Sequence, residues 1–136
     1  MPAPIELLKG APLFQGLNDK QLKSLAAEFT DRSFRAGQEL TAEGQGAAGF
    51  FVIESGEANV TVDGEARRTL GPGDYYGEIA LIDSGLRTAT ITATSDGRAW
   101  GLTPWQFRPL VEEHASIAWP LLEAMARRVR ELEARD

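Results

Sequence analysis

The chain has 136 residues, a net charge of −6, 43% apolar and 25% charged residues. That length suits one domain with one real core, and the acidic balance excludes a broad basic footprint for nucleic acid. With no cysteine and a single histidine, His114, disulfides, thiolate metal sites and histidine-rich metal centres are all excluded.

Residues 1–10 lack the apolar core of a signal peptide. No run approaches the roughly 18 apolar residues of a membrane span. A cytoplasmic location is the expectation, because the absence of cysteine fits a reducing interior. Fourteen glycines predict many tight turns and a β-rich body.

Ile5-Glu6-Leu7-Leu8 reads as a short amphipathic turn before Pro12. Asn18 with Gln21 three positions on has the form of a capping box. Leu22, Leu25, Ala26 and Phe29 follow at helical spacing, which predicts a helix from Asp19 to Glu28.

From Thr30 to Thr103 short alternating runs are separated by turn signals. Arg32–Phe34 precedes Ala36-Gly37, and Glu39–Ala42 precedes Glu43-Gly44-Gln45-Gly46. Phe50–Glu54 ends at Ser55-Gly56. Ala58, Val60 and Val62 alternate with polar residues before Asp63-Gly64, a two-residue hairpin signal. Arg67–Leu70 leads to the corner Gly71-Pro72-Gly73-Asp74. Thr88–Thr94 alternates again, Asp96-Gly97 turns, and Arg98–Leu102 closes the set.

The reading is mainly β: an eight-stranded, jelly-roll-like β-roll over about 30–103. With one N-terminal helix and two C-terminal helices the chain is α+β overall and a single domain, residues 1–136. Pro104 after a Thr103 cap starts the first C-terminal helix. The last spans Ile117–Ala134, with Pro120 expected in its first turn and Leu121, Leu122, Met125, Val129 and Leu132 as one stripe. Glu123–Arg127 and Arg127–Glu131 are expected as i,i+4 pairs, and Trp100, Trp105 and Trp119 as core residues.

One stretch carries chemistry. Tyr76-Gly77-Glu78-Ile79-Ala80-Leu81 places a carboxylate in a Gly-flanked apolar run, and Arg87-Thr88-Ala89 sets a lone arginine among small residues. A charge in an apolar run must be paired or functional. A single helical turn after Gly77 offers free N–H groups to an anion, and Arg87 supplies a planar fork suited to phosphate.

This stretch resembles the phosphate-binding cassette of cyclic nucleotide-binding domains, in which Phe-Gly-Glu-Leu-Ala-Leu is followed, after a short loop, by Pro-Arg-Ala-Ala-Thr-Val. The Glu78-to-Arg87 spacing matches, while Leu86 replaces the family's proline and Tyr76 its phenylalanine. The likeness runs from about Leu13 into the last helix.

The resemblance implies a ligand site built from Gly77, Glu78, Ile79, Ala80, Arg87, Thr88 and Ala89. Glu78 would accept the ribose 2′-hydroxyl, with Gly77 giving the backbone room. Ala80 and Ala89 would offer N–H groups to the cyclic phosphate, and Arg87 would clamp it. Thr88 bears on base choice: cyclic AMP is the first choice of ligand and cyclic GMP the second. The residue of the last helix that caps the base stays open among Arg127, Arg128, Arg130, Leu121 and Leu122.

The expected function is a non-enzymatic sensor that signals through movement of its C-terminal helix. No catalytic residues, metal, cofactor, membrane span or direct nucleic-acid binding are expected. These residues encode no effector, so the output falls to an unknown partner protein or to a homodimer through the last helix. Two other readings stand beside it. A degenerate roll would serve only as a protein-interaction module. A cupin-like metalloenzyme would need more histidines than the one present.

Overall fold

The computed structural model describes residues 3–41, 49–77, 81–82 and 89–134. The chain opens with α1 (Ile5–Leu8), a 3₁₀ turn (Pro12–Phe14) and α2 (Asp19–Ala26). The capping box forms as expected: Asn18 Oδ1 accepts from the Gln21 N–H, and Gln21 Oε1 from the Asn18 N–H, both at 2.9 Å. This fixes where α2 starts, and its Leu22, Leu25 and Ala26 point into the core.

Eight strands follow among the described residues: β1 (Thr30–Phe34), β2 (Glu39–Thr41), β3 (Phe50–Ser55), β4 (Ala58–Val62), β5 (Glu65–Leu70), β6 (Tyr75–Tyr76), β7 (Thr90–Ala93) and β8 (Gly97–Leu102). They pair antiparallel in two sheets of four, ordered β1-β8-β3-β6 and β2-β7-β4-β5. The β4–β5 hairpin turns at Asp63 and Gly64, whose φ values are +52° and +78°. Both being positive is what a type I′ turn requires. The corner before β6 is closed twice, by the Asp74 N–H donating to Gly71 O at 2.9 Å and the Gly71 N–H donating to Asp74 Oδ2 at 2.7 Å.

Period-two alternation divides the apolar residues of the first sheet between its two faces. Phe50 and Val52 of β3, with Trp100 and Leu102 of β8, face the helices. Ile53 faces the roll interior with Ala58, Val60, Leu70, Ala89 and Ile91. The register slips between Ile53 and Ser55 of β3, and Glu54 at this bulge accepts from Trp100 Nε1 at 3.4 Å. The buried indole is thereby satisfied.

The helices α3 (Pro104–Glu113) and α4 (Ala115–Ala134) complete the chain. Thr103 precedes α3 with Pro104 at its first position, as expected, and His114 ends it. Four expectations are corrected here. The last helix starts at Ala115, so Pro120 is its sixth residue rather than a first-turn one. A proline there deprives Ser116 O of its usual donor, and that carbonyl is satisfied from another helix.

The apolar stripe is also divided. Ile117, Leu121 and Ala124 are buried, whereas Leu122, Val129 and Leu132 are exposed, because the stripe's spacing spans two faces of the helix and α4 buries one. Of the tryptophans, Trp100 is core, but Trp105 and Trp119 are 70% and 67% exposed. The Glu123–Arg127–Glu131 pairs do not close; an i,i+4 pair closes in α3 instead, Arg108 to Glu112 at 2.9 Å.

Candidate functional site

Of the seven site residues proposed from the sequence, Gly77 and Ala89 are described. Glu78, Ile79, Ala80, Arg87 and Thr88 lie outside the described residues, as does the Glu43-Gly44-Gln45-Gly46 loop signal.

The two described ends of the motif converge. Ala89 is 3% exposed and sits in the interior cluster. Tyr76, immediately before Gly77, packs against the same cluster. Both described flanks of the motif therefore lie against one cluster. Gly77 has φ = +90°, a region that side chains with a Cβ adopt only under strain. A glycine at the exit from β6 lets the chain turn sharply away from the strand.

β6 is only two residues long, yet it touches both cores. It pairs with β3 through Phe51↔Tyr76 and Val52↔Tyr75. Tyr76 lies beside Phe51, centroids 6.3 Å apart, on the roll side. Tyr75 lies beside Phe50, centroids 6.2 Å apart, on the helix side. Phe50 in turn meets Phe14 edge-on at 5.5 Å and Phe29 at 5.9 Å. A continuous row of rings thus links the start of the motif to the helical layer. Sequence reasoning assigned no role to Tyr75; the signal was its place one residue before Tyr76, on the opposite face of a strand.

On the outer side of Tyr75 a cleft of about 280 Å³ separates that ring from the second half of α4. Its walls include Gln15, Arg127, Arg128, Glu131 and Leu132. Arg127 and Arg128, two of the base-capping candidates, therefore face the strand that enters the motif. Leu121 is instead buried in the helical core. Among the described residues no group of three or more His, Cys, Asp or Glu side chains is placed to hold a metal, and no helix is long and apolar enough to cross a membrane.

A β-roll of two four-stranded antiparallel sheets flanked by helices is what this architecture defines. The cyclic nucleotide-binding domain family model matches residues 31–114, and the chain belongs to that family. The cyclic AMP receptor protein of Thermus thermophilus is 30% identical over 131 residues, covering 93% of this chain and 61% of that protein. A cAMP-dependent protein kinase regulatory subunit of Yarrowia lipolytica is 39% identical over 88 residues, 63% of this chain and 24% of that protein. Among solved structures, the N-terminal domain of a transcriptional regulator from Streptomyces coelicolor A3(2) superimposes with a TM-score of 0.88 at 28% identity, covering 95% of this chain and 94% of that one. The chain thus spans less than two thirds of the length of these two curated relatives.

Proposed function

We propose that the chain is a non-enzymatic receptor module for a 3′,5′-cyclic nucleotide, with cyclic AMP as the first ligand and cyclic GMP as the second. A cyclic phosphodiester carries one negative charge, a free 2′-hydroxyl and a flat base, and each asks for a different partner. Arg87 clamps the phosphate by a charge-assisted, forked hydrogen bond. The N–H groups of Ile79, Ala80 and Ala89 complete the phosphate cradle. Glu78 accepts the 2′-hydroxyl, and Thr88 faces the choice of base.

The observation that carries this reading is the convergence of Tyr76 and Ala89 on one interior cluster, with the motif between them and Gly77 turned to positive φ. Family membership supports it independently. The relatives, a receptor protein and a regulatory subunit, favour a regulator over a catalyst. Calorimetric titration with cyclic AMP and cyclic GMP tests it. Saturable binding at one site is expected, and no heat with either would overturn it.

Bound ligand shifts a conformational equilibrium only through contacts it makes in one state and not the other. In this proposal α4 supplies them, closing its Arg127–Arg128 segment toward Tyr75 and the ligand. The output is pairing of two chains through α4. Leu122, Met125, Val129 and Leu132 follow 3-4-3 spacing, and three of them are at least half exposed.

A further inference from the structure

Proline has no N–H, so with Pro120 as the sixth residue of α4 the Ser116 carbonyl cannot receive the i+4 bond of a regular helix. A donor arrives from 95 positions away: Gln21 Nε2 donates to Ser116 O at 3.1 Å. The Gln21 side chain is fixed at both ends, because its Oε1 accepts from the Asn18 N–H at 2.9 Å. The amide orientation is dictated by its neighbours. A backbone N–H demands the oxygen on one side, and a carbonyl demands the nitrogen on the other.

The fit around the proline is equally close. A Cβ at Gly16 would stand 3.1 Å from Pro120 Cβ, so Gly16 lets the proline ring approach the segment before α2. The same device recurs at α3. Gln106 Oε1 accepts from the Thr103 N–H at 3.0 Å, and its Nε2 donates to Glu28 O, just beyond α2, at 3.1 Å. Both capping glutamines thus tie the N-terminal helical segment to a C-terminal helix.

We propose that Gln21 is a latch on a proline hinge in α4. With the bond made, the turn from Ser116 to Pro120 is braced and α2 and α4 move as one body. With it released, the first turn of α4 loosens from α2 while Leu121 and Ala124 stay seated in the shared core. The bond lies at an exposed position, where water replaces it readily, so its net worth is about a fivefold factor in an equilibrium. A ligand with modest preference for one state is enough to tip a balance of that size. The inference rests on the proposed nucleotide reading, because nucleotide is what biases the latch.

Gln21→Glu keeps the oxygen that caps Asn18 and removes the donor to Ser116. Pro120→Ala restores the N–H to the helix and keeps a Cβ against Gly16. Hydrogen exchange of the ligand-free chain is measured first. In Gln21→Glu, amides 117–124 exchange about fivefold faster while those of α2 are unchanged. In the Pro120→Ala background the same substitution has no effect, since the helix now satisfies Ser116 itself. Cyclic AMP affinity then shifts by a similar factor in Gln21→Glu alone.

Unchanged exchange in Gln21→Glu, or an equal rise with Pro120→Ala, overturns the latch. Raised exchange with unaltered affinity in a chain that binds nucleotide overturns its regulatory role. If exchange behaves as expected but even wild type binds no nucleotide, the bracing of α4 by Gln21 stands and the nucleotide reading falls.

Discussion

Tyr75 and Tyr76 are neighbours in β6, yet Tyr75 packs into the core shared with the helices and Tyr76 packs against the interior of the roll. A displacement of this two-residue strand moves both cores at once. Under the proposed function, ligand contact beside this strand would reach the helices through these packed rings.

Phe50 is the centre of that relay. It is 1% exposed and touches the rings of Phe14, Phe29 and Tyr75. Phe50→Ala leaves a cavity between sheet and helices and is expected to cost about 3–5 kcal/mol, measured by urea unfolding. The milder Tyr75→Leu keeps an apolar side chain at the position but removes the ring pair. It should leave cyclic AMP affinity within a few-fold of wild type while weakening the ligand-dependent change in α4 exchange. An undiminished change would mean that the signal takes another route.

Gly77 is the position where the backbone itself sets the requirement. At φ = +90° a Cβ is strained, and Gly77→Ala should destabilise the fold by about 1–2 kcal/mol. Because Gly77 borders the proposed phosphate cradle, affinity should drop as well. Equal stability of variant and wild type in chemical denaturation would contradict this.

Leu122 is 58% exposed and Val129 50% exposed on α4, so neither contributes much to the single-chain core. Leu122→Asp with Val129→Asp should leave urea unfolding of the monomer within about 1 kcal/mol of wild type. Sedimentation velocity should show wild type pairing at high concentration and the variant remaining monomeric. A wild-type chain that stays monomeric at every concentration would remove pairing through α4 as the output.

Much of the fold was legible because local chemistry and global packing agree. Asn18 with Gln21 marked a helix start, Asp63-Gly64 a hairpin, and Gly71-Pro72-Gly73-Asp74 the corner before β6. Each depends on hydrogen bonds or φ values set within four residues. What escaped depends on distant partners. Pro120 suggested a helix beginning near Ile117, since no local feature shows that Gln21 would satisfy Ser116 O.

The exposure of Trp105 and Trp119 was equally hidden, because apolar spacing fixes a stripe but not which of two faces is buried. For the site, the Gly-Glu and Arg-Thr-Ala motifs were plain in the sequence, and the structure brings the flanks of that stretch, Tyr76 and Ala89, together. The role of Tyr75 needed the two cores to be seen, since a two-residue strand has too little alternation to reveal them.

The most direct measurement is a calorimetric titration of wild type and Arg87→Ala with cyclic AMP, with circular dichroism confirming that both are folded. Removing the guanidinium leaves the bound phosphate charge uncompensated, at a cost of about 2–5 kcal/mol. The affinity should therefore fall on the order of 30-fold to several-thousand-fold. Wild-type affinity in the folded Arg87→Ala variant would show that the phosphate binds elsewhere and would contradict the account.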